Sequence, residues 1–284
     1  AGQLERTVVE RLEMDPAKIK NLKLTGKITT ADYTFMHTKM TSLQRLNLKE
    51  VQSIVNGVYS IPQNAFSGHS TLYKCILPDK LETIGADAFA KTSLSGTLLL
   101  PEGLKLIEGG NLGAFYNTKI NVVNFPSTLE EIGGNAFSNC SELMMELSLP
   151  ESLRTISSRA FQNTKIQGTL YLPSSLEFIG EGAFNGCSSL MGSLTIPDKI
   201  TVIYNSAFSG CGFTGTLNLP EGLTKIGSSA FYNVPFKGEL NLPESLLIIE
   251  DSAFSSGQYS GTLVLPKSLV SLGKSVFYRC SRLT

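Results

Sequence analysis

The chain has 284 residues, and its 24 basic and 24 acidic side chains cancel to a formal net charge of zero. That balance argues against a nucleic-acid binder, which needs a basic excess or stripe to meet a phosphate backbone. Disorder is excluded by 42% hydrophobic and only 17% charged residues, and no apolar run reaches the roughly 18 residues of a membrane span.

The chain opens AGQLERTVVERL, with no positive segment followed by an apolar core, so a signal segment is absent from it. Leu4, Val8, Val9 and Leu12 have amphipathic helical spacing, which predicts a helix over residues 4–14, limited by Pro16. Residues 20–28 read as a first strand, 31–40 as a short helix containing Phe35, and 43–48 as a second strand. Residues 1–50 are therefore expected to form an N-terminal cap, ordered helix, strand, helix, strand, over the open end of a repeat core. Residues 51–66 read as a long, irregular first coil, because Phe35 and Phe66 lie 31 residues apart.

From there a period of about 23 residues takes over. Nine of the 12 prolines, from Pro78 through Pro101, Pro126 and Pro150 to Pro266, follow one another at 23 to 25 residues. Phenylalanine keeps the same beat from Phe66 to Phe277, and each ladder Phe follows an alanine except Phe277, which follows Val276. One well-formed unit runs G-T-L-Y-L-P-S-S-L-E-F-I-G-E-G-A-F-N-G-C over residues 168–187. Its alternation predicts a strand with Leu170 and Leu172 inward and Thr169 and Tyr171 outward. Pro173 ends that strand because it has no N–H for a ladder. Leu176 to Ile179 returns along a second wall, Gly180 eases the next bend, and Phe184 drives into the interior to join an aromatic spine. No unit of this size buries its own apolar face, whereas stacked units do. The expected fold is a β-rich repeat solenoid of about ten coils over residues 51–284, with short strands, turns and 3-10 segments. Its last coil stops at Thr284, where another L-x-L-P strand is due, so the C-terminal end is expected to be uncapped.

Catalysis has little to stand on. His37 and His69 are the only histidines, and neither adjoins a recognisable nucleophile motif. His69 holds the position three residues after the ladder Phe, where Thr92, Thr118 and Thr164 stand in other coils, and reads as a polar turn residue. Cys140, Cys187, Cys211 and Cys280 hold that same position. Consecutive coils put Cys187 and Cys211 within disulfide range, but the odd count of five and the exchange of Cys with Thr favour free thiols in a packed column. Asp79, Glu102, Glu151, Asp198, Glu221 and Glu244 each follow a ladder proline. They read as a solvated acidic edge, since Gly, Ser or Lys mostly fills the places where further calcium ligands are needed. The glycine-rich stretch 109–113 lies in the longest repeat and reads as an inserted loop, not a phosphate cradle. No cofactor and no metal site is expected.

What remains is the outer face of the L-x-L strands. Its candidate binding residues are Leu99, Asn124, Thr169, Tyr171, Thr195, Thr216, Asn218, Asn241, Thr262 and Val264. This wall is weakly charged and rich in hydroxyl and amide groups, with Leu99, Tyr171 and Val264 as apolar points. Solenoid walls commonly bind partners, although threonine also suits an exposed strand by propensity alone.

The pattern L-x-L-P-x-x-L-x-x-I-G-x-x-A-F-x-x-C stands here as Leu170, Leu172, Pro173, Leu176, Ile179, Gly180, Ala183, Phe184 and Cys187. It returns as Leu194, Ile196, Pro197, Ile200, Ile203, Ala207, Phe208 and Cys211. It resembles the BspA-like leucine-rich repeats of Treponema and Bacteroides surface proteins. The resemblance implies a non-enzymatic adhesion module, at the cell surface or secreted, whose partners are host extracellular matrix proteins or other bacterial surface proteins. The alternative is a structural stalk that displays another domain. A monomer, or a weak dimer through the C-terminal edge, is expected.

Overall fold

A computed structural model describes residues 3–284, in two compact units, residues 1–142 and 143–284. In the first, helix α1 (Gln3–Glu5) widens into a π-helical stretch, Arg6–Arg11. The i→i+5 period removes the 3.6-residue stripe that the sequence predicts: Leu4 and Val8 are buried while Val9 and Leu12 are exposed. After β1 (Asn21–Ile28) comes α2 (Thr30–Lys39), whose start is held by a capping box. The buried Asp32 carboxylate accepts the Thr29 N–H at 2.8 Å and also the Leu4 N–H at 2.9 Å, which ties the N-terminal helix to α2.

Next come β2 (Arg45–Val55), β3 (Val58–Ile61) and β4 (Lys74–Ile76). β2 pairs in parallel with β1 and β4 but antiparallel with β3. The hairpin between β2 and β3 turns on Asn56 and Gly57, at φ 51° and 84°, the left-handed pair a two-residue hairpin requires. The region read as an irregular coil is thus a strand pair. Phe35 is buried on α2, and the ring that meets Phe66 edge-on, at 5.8 Å, is Tyr33.

The coils then follow. In unit 1 they contribute β5 (Thr83–Ile84), β6 (Ser95–Leu99), β7 (Leu106–Ile107), β8 (Lys119–Asn124) and β9 (Glu131–Ile132). In unit 2 they contribute β10 (Thr155–Ile156), β11 (Gly168–Thr169), β12 (Phe178–Ile179), β13 (Leu190–Met191), β14 (Leu194–Thr195), β15 (Val202–Ile203), β16 (Leu217–Asn218), β17 (Lys225–Ile226), β18 (Ile248–Ile249) and β19 (Ser271–Leu272). The protein is a β-solenoid with few helices, as its repeat predicts. Its more regular ladder is not the L-x-L wall. Parallel pairing runs β3-β5-β7-β9 in unit 1 and β15-β17-β18-β19 in unit 2, on the dipeptides that end in the second-wall Ile or Leu.

The glycine after that Ile explains the tightness. Gly180 does not lie in the left-handed region and eases no bend; a Cβ there would sit 2.4 Å from the Ser158 backbone N. Its own N–H donates to the Ile156 carbonyl at 2.8 Å. A Cβ on Gly133 would likewise sit 2.2 Å from the Gly109 backbone N. Close approach of neighbouring backbones, not turning, demands glycine here.

Each coil reverses around its Ala-Phe pair. The residues two before and two after every ladder Phe have positive φ, among them Asn64 and Gly68, Arg159 and Asn163, and Ser206 and Gly210. The alternation turns every second N–H toward the next coil. Asn64, Phe66 and Gly68 donate to Ala86, Ala88 and Ala90, and Ser206, Phe208 and Gly210 donate to Ser228, Ala230 and Tyr232, all at 2.7–2.9 Å. Beneath this turn the rings stack at 5.3–5.6 Å from Phe66 through Phe89 and Phe115 to Phe137. In unit 2, Phe161 through Phe277 stack at 5.5–5.7 Å. A second stack in unit 2 joins Phe213, Phe236 and Tyr259, and meets the ladder edge-on.

Two stability predictions follow from the buried turn. Phe184→Ala should lose about 3–5 kcal/mol, whereas Tyr171→Ala on the surface should stay within about 0.5 kcal/mol; urea midpoints in the reverse order would mean the ladder is misassigned. Arg159→Gly should raise stability by up to about 1 kcal/mol, read as a higher urea midpoint, because it removes a side chain from a left-handed backbone at φ 58°.

Candidate binding wall

The structure exposes nine of the ten candidate wall residues and leaves Thr169 half-buried. Unit 1 carries Leu99 and Asn124, which are register partners between β6 and β8. Unit 2 carries the other eight. There Thr195 and Asn218 are partners between β14 and β16, and the Asn218 amide donates to the Thr195 hydroxyl at 3.0 Å. Thr216 donates its backbone N–H and its hydroxyl to Ser193 Oγ at 3.0 and 3.1 Å. Asn241, Thr262 and Val264 lie outside any strand. The wall is therefore ladder-paired only in patches. β11 pairs with β13 in the register Thr169↔Met191, not with β14.

Where pairing lapses, the wall opens. Tyr171, 75% exposed, stands between two clefts. One, of about 580 Å³, brings Thr169 and Tyr171 together with Thr195; the other, of about 230 Å³, brings them to Glu146 and Ser148. Leu99 and Val264 are 65% and 66% exposed. Sequence reasoning missed Met144 and Met191, both exposed. Met191 sits one residue before the Gly that opens its L-x-I-P entry, and Met144 holds the same place in its own coil, so alignment of the coils could have found them.

The remaining constellations are structural. The turn position three residues after Phe caps the coil interior. Thr92 and Thr164 donate to the carbonyl of their own Phe, while Cys140, Cys187, Cys211 and Cys280 donate to the Phe carbonyl one coil earlier, at 3.1–3.2 Å. Every cysteine is free. Burial pushes the Cys187 and Cys75 thiols up to about 12 and that of Cys140 to about 11. His69 fills the same slot and is buried, not a surface turn residue, with Nε2 at 3.1 Å from the Met40 carbonyl. Burial holds its imidazole below the usual range.

The residues following the prolines show a second logic. Ser127 and Ser174 donate to the carboxylates of Glu102 and Glu151 one coil earlier, and the Lys267 N–H donates to Glu244. The residues that interrupt the acidic column are thus its hydrogen-bond donors. In the glycine-rich stretch, the N–H groups of Leu112 and Gly113 are taken by the Asp87 carboxylate at 3.0 and 2.7 Å, which fastens the inserted loop to the preceding coil. Among the described residues no cluster of three or more His, Cys, Asp or Glu side chains could hold a metal ion, and no helix is long and apolar enough to cross a membrane.

Short parallel strands, a buried Phe stack and a 23-residue coil define a leucine-rich-repeat solenoid. A profile of the BspA-type leucine-rich repeat region matches residues 15–110, 111–193 and 190–284, and the chain belongs to that family. Among solved structures, a leucine-rich repeat protein from Bacteroides ovatus is 19% identical over 94% of this chain and 78% of its own, with a TM-score of 0.48. A leucine-rich cell surface protein from Faecalibacterium prausnitzii is also 19% identical, over 84% and 80%, with a TM-score of 0.43. The pneumococcal vaccine antigen PcpA is 24% identical over 84% of this chain and 60% of its own, with a TM-score of 0.50, and shares the fold. No curated protein matches the sequence.

The raised thiols set a pH dependence. The folded chain keeps them protonated where an unfolded thiol ionises, near pH 8.5. It therefore binds more protons than the unfolded chain above that value, and stability falls as pH rises from about 8.5 toward the folded values. Urea midpoints at pH 8 and pH 10 should show that loss, and Cys187→Thr, which places there the residue of the preceding coil, Thr164, should flatten the slope.

Proposed function

We propose that this chain is a non-enzymatic binding module, displayed on the cell surface or secreted, that captures protein partners on the L-x-L wall. The observation that carries the reading is Tyr171, an exposed aromatic flanked by two clefts on a wall whose other candidate residues are mostly short and polar. An amphipathic ring beside a concavity is the usual form of an interface anchor. In this reading residues 1–50 cap the solenoid and residues 51–284 present the surface. The partners are host extracellular matrix proteins or surface proteins of other bacteria.

A second reading, a structural stalk, is favoured by the hydrogen bonds that Thr216 and Asn218 make along the wall. Such side chains already satisfy one another and gain less from a partner.

The test is a panel of matrix proteins, mucins and bacterial surface proteins passed over the immobilised chain by surface plasmon resonance. The module reading expects saturable capture of at least one partner, weakened about tenfold or more by Tyr171→Ala and little changed by a substitution far from the wall such as Lys91→Ala. A flat panel leaves the stalk.

A further inference from the structure

Unit 1 opens its wall between β4 and β6. β4 is paired on one side with β2, in the register Arg45↔Lys74 to Asn47↔Ile76, and β6 is paired on one side with β8. Between β4 and β6 themselves no ladder forms. The nearest backbone link is the Ser95 N–H donating to the Tyr73 carbonyl at 3.2 Å, just before β4 begins. One residue later Gly96 takes φ 77°, and the β6–β8 register shifts at the same place, so β6 leaves the course that would bring it alongside β4. A cleft of about 760 Å³ results, with a strand edge on each side. That volume lies within the roughly 300–1,000 Å³ of built ligand pockets.

The lining has two characters. The floor is apolar, with Leu94, Leu98 and Ile120 buried along it, and Ile76 and Leu99 exposed at the rim. The charged lining is Arg45, Lys49 and Lys74 against Asp79 alone, a surplus of two positive charges (three minus one) in a chain of net charge zero. Elsewhere in this unit Lys23 and Lys105 are paired with Glu50 and Glu82. Among the described residues, none of the three cations at the cleft forms an ion pair, although Lys49 also acts electrostatically on Glu50, the partner of Lys23. Arg45 instead donates its Nε–H to the Tyr73 hydroxyl, with its guanidinium 5.4 Å from the ring centre.

The geometry points to a slot for an extended acidic peptide segment of a partner protein, laid along the open edges of β4 and β6 with its carboxylates toward Arg45, Lys49 and Lys74. Strand addition uses backbone groups for affinity and alternate side chains for specificity. Here one face of such a strand meets Leu98 and Ile120 and the other meets the cations. A polyanionic glycan would use the cations but leave the apolar floor and both strand edges unused. The inference rests on the binding-module reading and gives it a second, chemically defined surface that does not include Tyr171.

Fluorescence anisotropy with the intact chain tests it. The probes are labelled peptides of about eight residues, the length of a long strand: alternating Glu and Val, alternating Lys and Val, and the Glu/Val peptide with alternate backbone nitrogens methylated. The Glu/Val peptide should bind saturably and more weakly as salt rises, while the other two should not bind. Lys49→Glu combined with Lys74→Glu should weaken it at least about tenfold with an unchanged thermal midpoint. If that pair fails to fold, Lys49→Gln with Lys74→Gln should weaken it in the same direction. Equal binding of the Lys/Val peptide, or undiminished binding of the methylated one, overturns the proposal. So does a heparin fragment that binds while no peptide does. Tyr171→Ala should leave peptide binding intact. A flat partner panel alongside peptide binding removes the wall reading alone; wall capture without peptide binding removes the slot alone.

Discussion

Every coil depends on the turn around Ala-Phe. Alternating left- and right-handed residues turn successive alternate N–H groups to the same side, so one coil can donate three backbone hydrogen bonds to the next without any strand. A buried turn of this kind would otherwise strand its polar groups. The alanine must be small because it is fully buried in that turn, and the Phe is placed to stack on its counterpart. The Phe carbonyls are collected by Thr or Cys three residues further on. Cys and Thr exchange freely there because each offers a small donor, which accounts for buried thiols with raised pKa and no reactive role.

With the turn and the Phe stack fixed, the two walls are free to differ. On the second wall, glycines such as Gly133 and Gly180 let neighbouring backbones close to contact, and the parallel ladder forms there. The L-x-L wall meets that requirement only in places, as at Gly215, where a Cβ would sit 2.6 Å from the Ser193 backbone N. Its leucines need only reach the core, so its backbone pairs in patches and opens into clefts beside Tyr171 and beside Lys74. A repeat protein that holds its coils together from one side gains a second side whose sequence can drift without loss of the fold. That freedom is what a recognition surface needs.

Much of this was legible because it repeats. Phe returns in ten coils and Pro in nine, and a column read that often is strong evidence for burial or a strand end; the Gly after Ile returns only in alternate coils, as Gly85, Gly133, Gly180 and Gly227. The N-terminal elements were legible from local pattern, since residues 20–28 and 31–40 carry ordinary strand and helix signals. The left-handed columns were harder. Asn, Gly, Ser, Asp, Arg and Lys all occupy them, so no single residue type marks the position, and only the shared tolerance of Asn, Gly and Asp for positive φ would have shown it. The hairpin at Asn56-Gly57 had a clear signal, hidden by an expectation of coils. Which wall carries the ladder could not be read, because Leu-x-Leu and Phe-Ile both look like strands, and backbone spacing decides between them. The stack of Phe213, Phe236 and Tyr259 occupies only three coils, too few to register as a period.

A net charge of zero excludes a long-range field but says nothing about pairing. The acids after the prolines are partly taken up by the next coil, as Glu102 is by Ser127 and Glu244 by the Lys267 N–H. Several second-wall acids are held by lysines and arginines, as Glu177 is by Arg154 and Lys199. None of these acids forms an ion pair with Arg45, Lys49 or Lys74. Overall neutrality therefore coexists with a local positive surplus at the place where the wall backbone is open. Near a low-dielectric apolar floor such a surplus acts at short range, where salt screens it less than it would a diffuse field. The same composition that argues against a nucleic-acid binder is thus compatible with selection of an acidic partner.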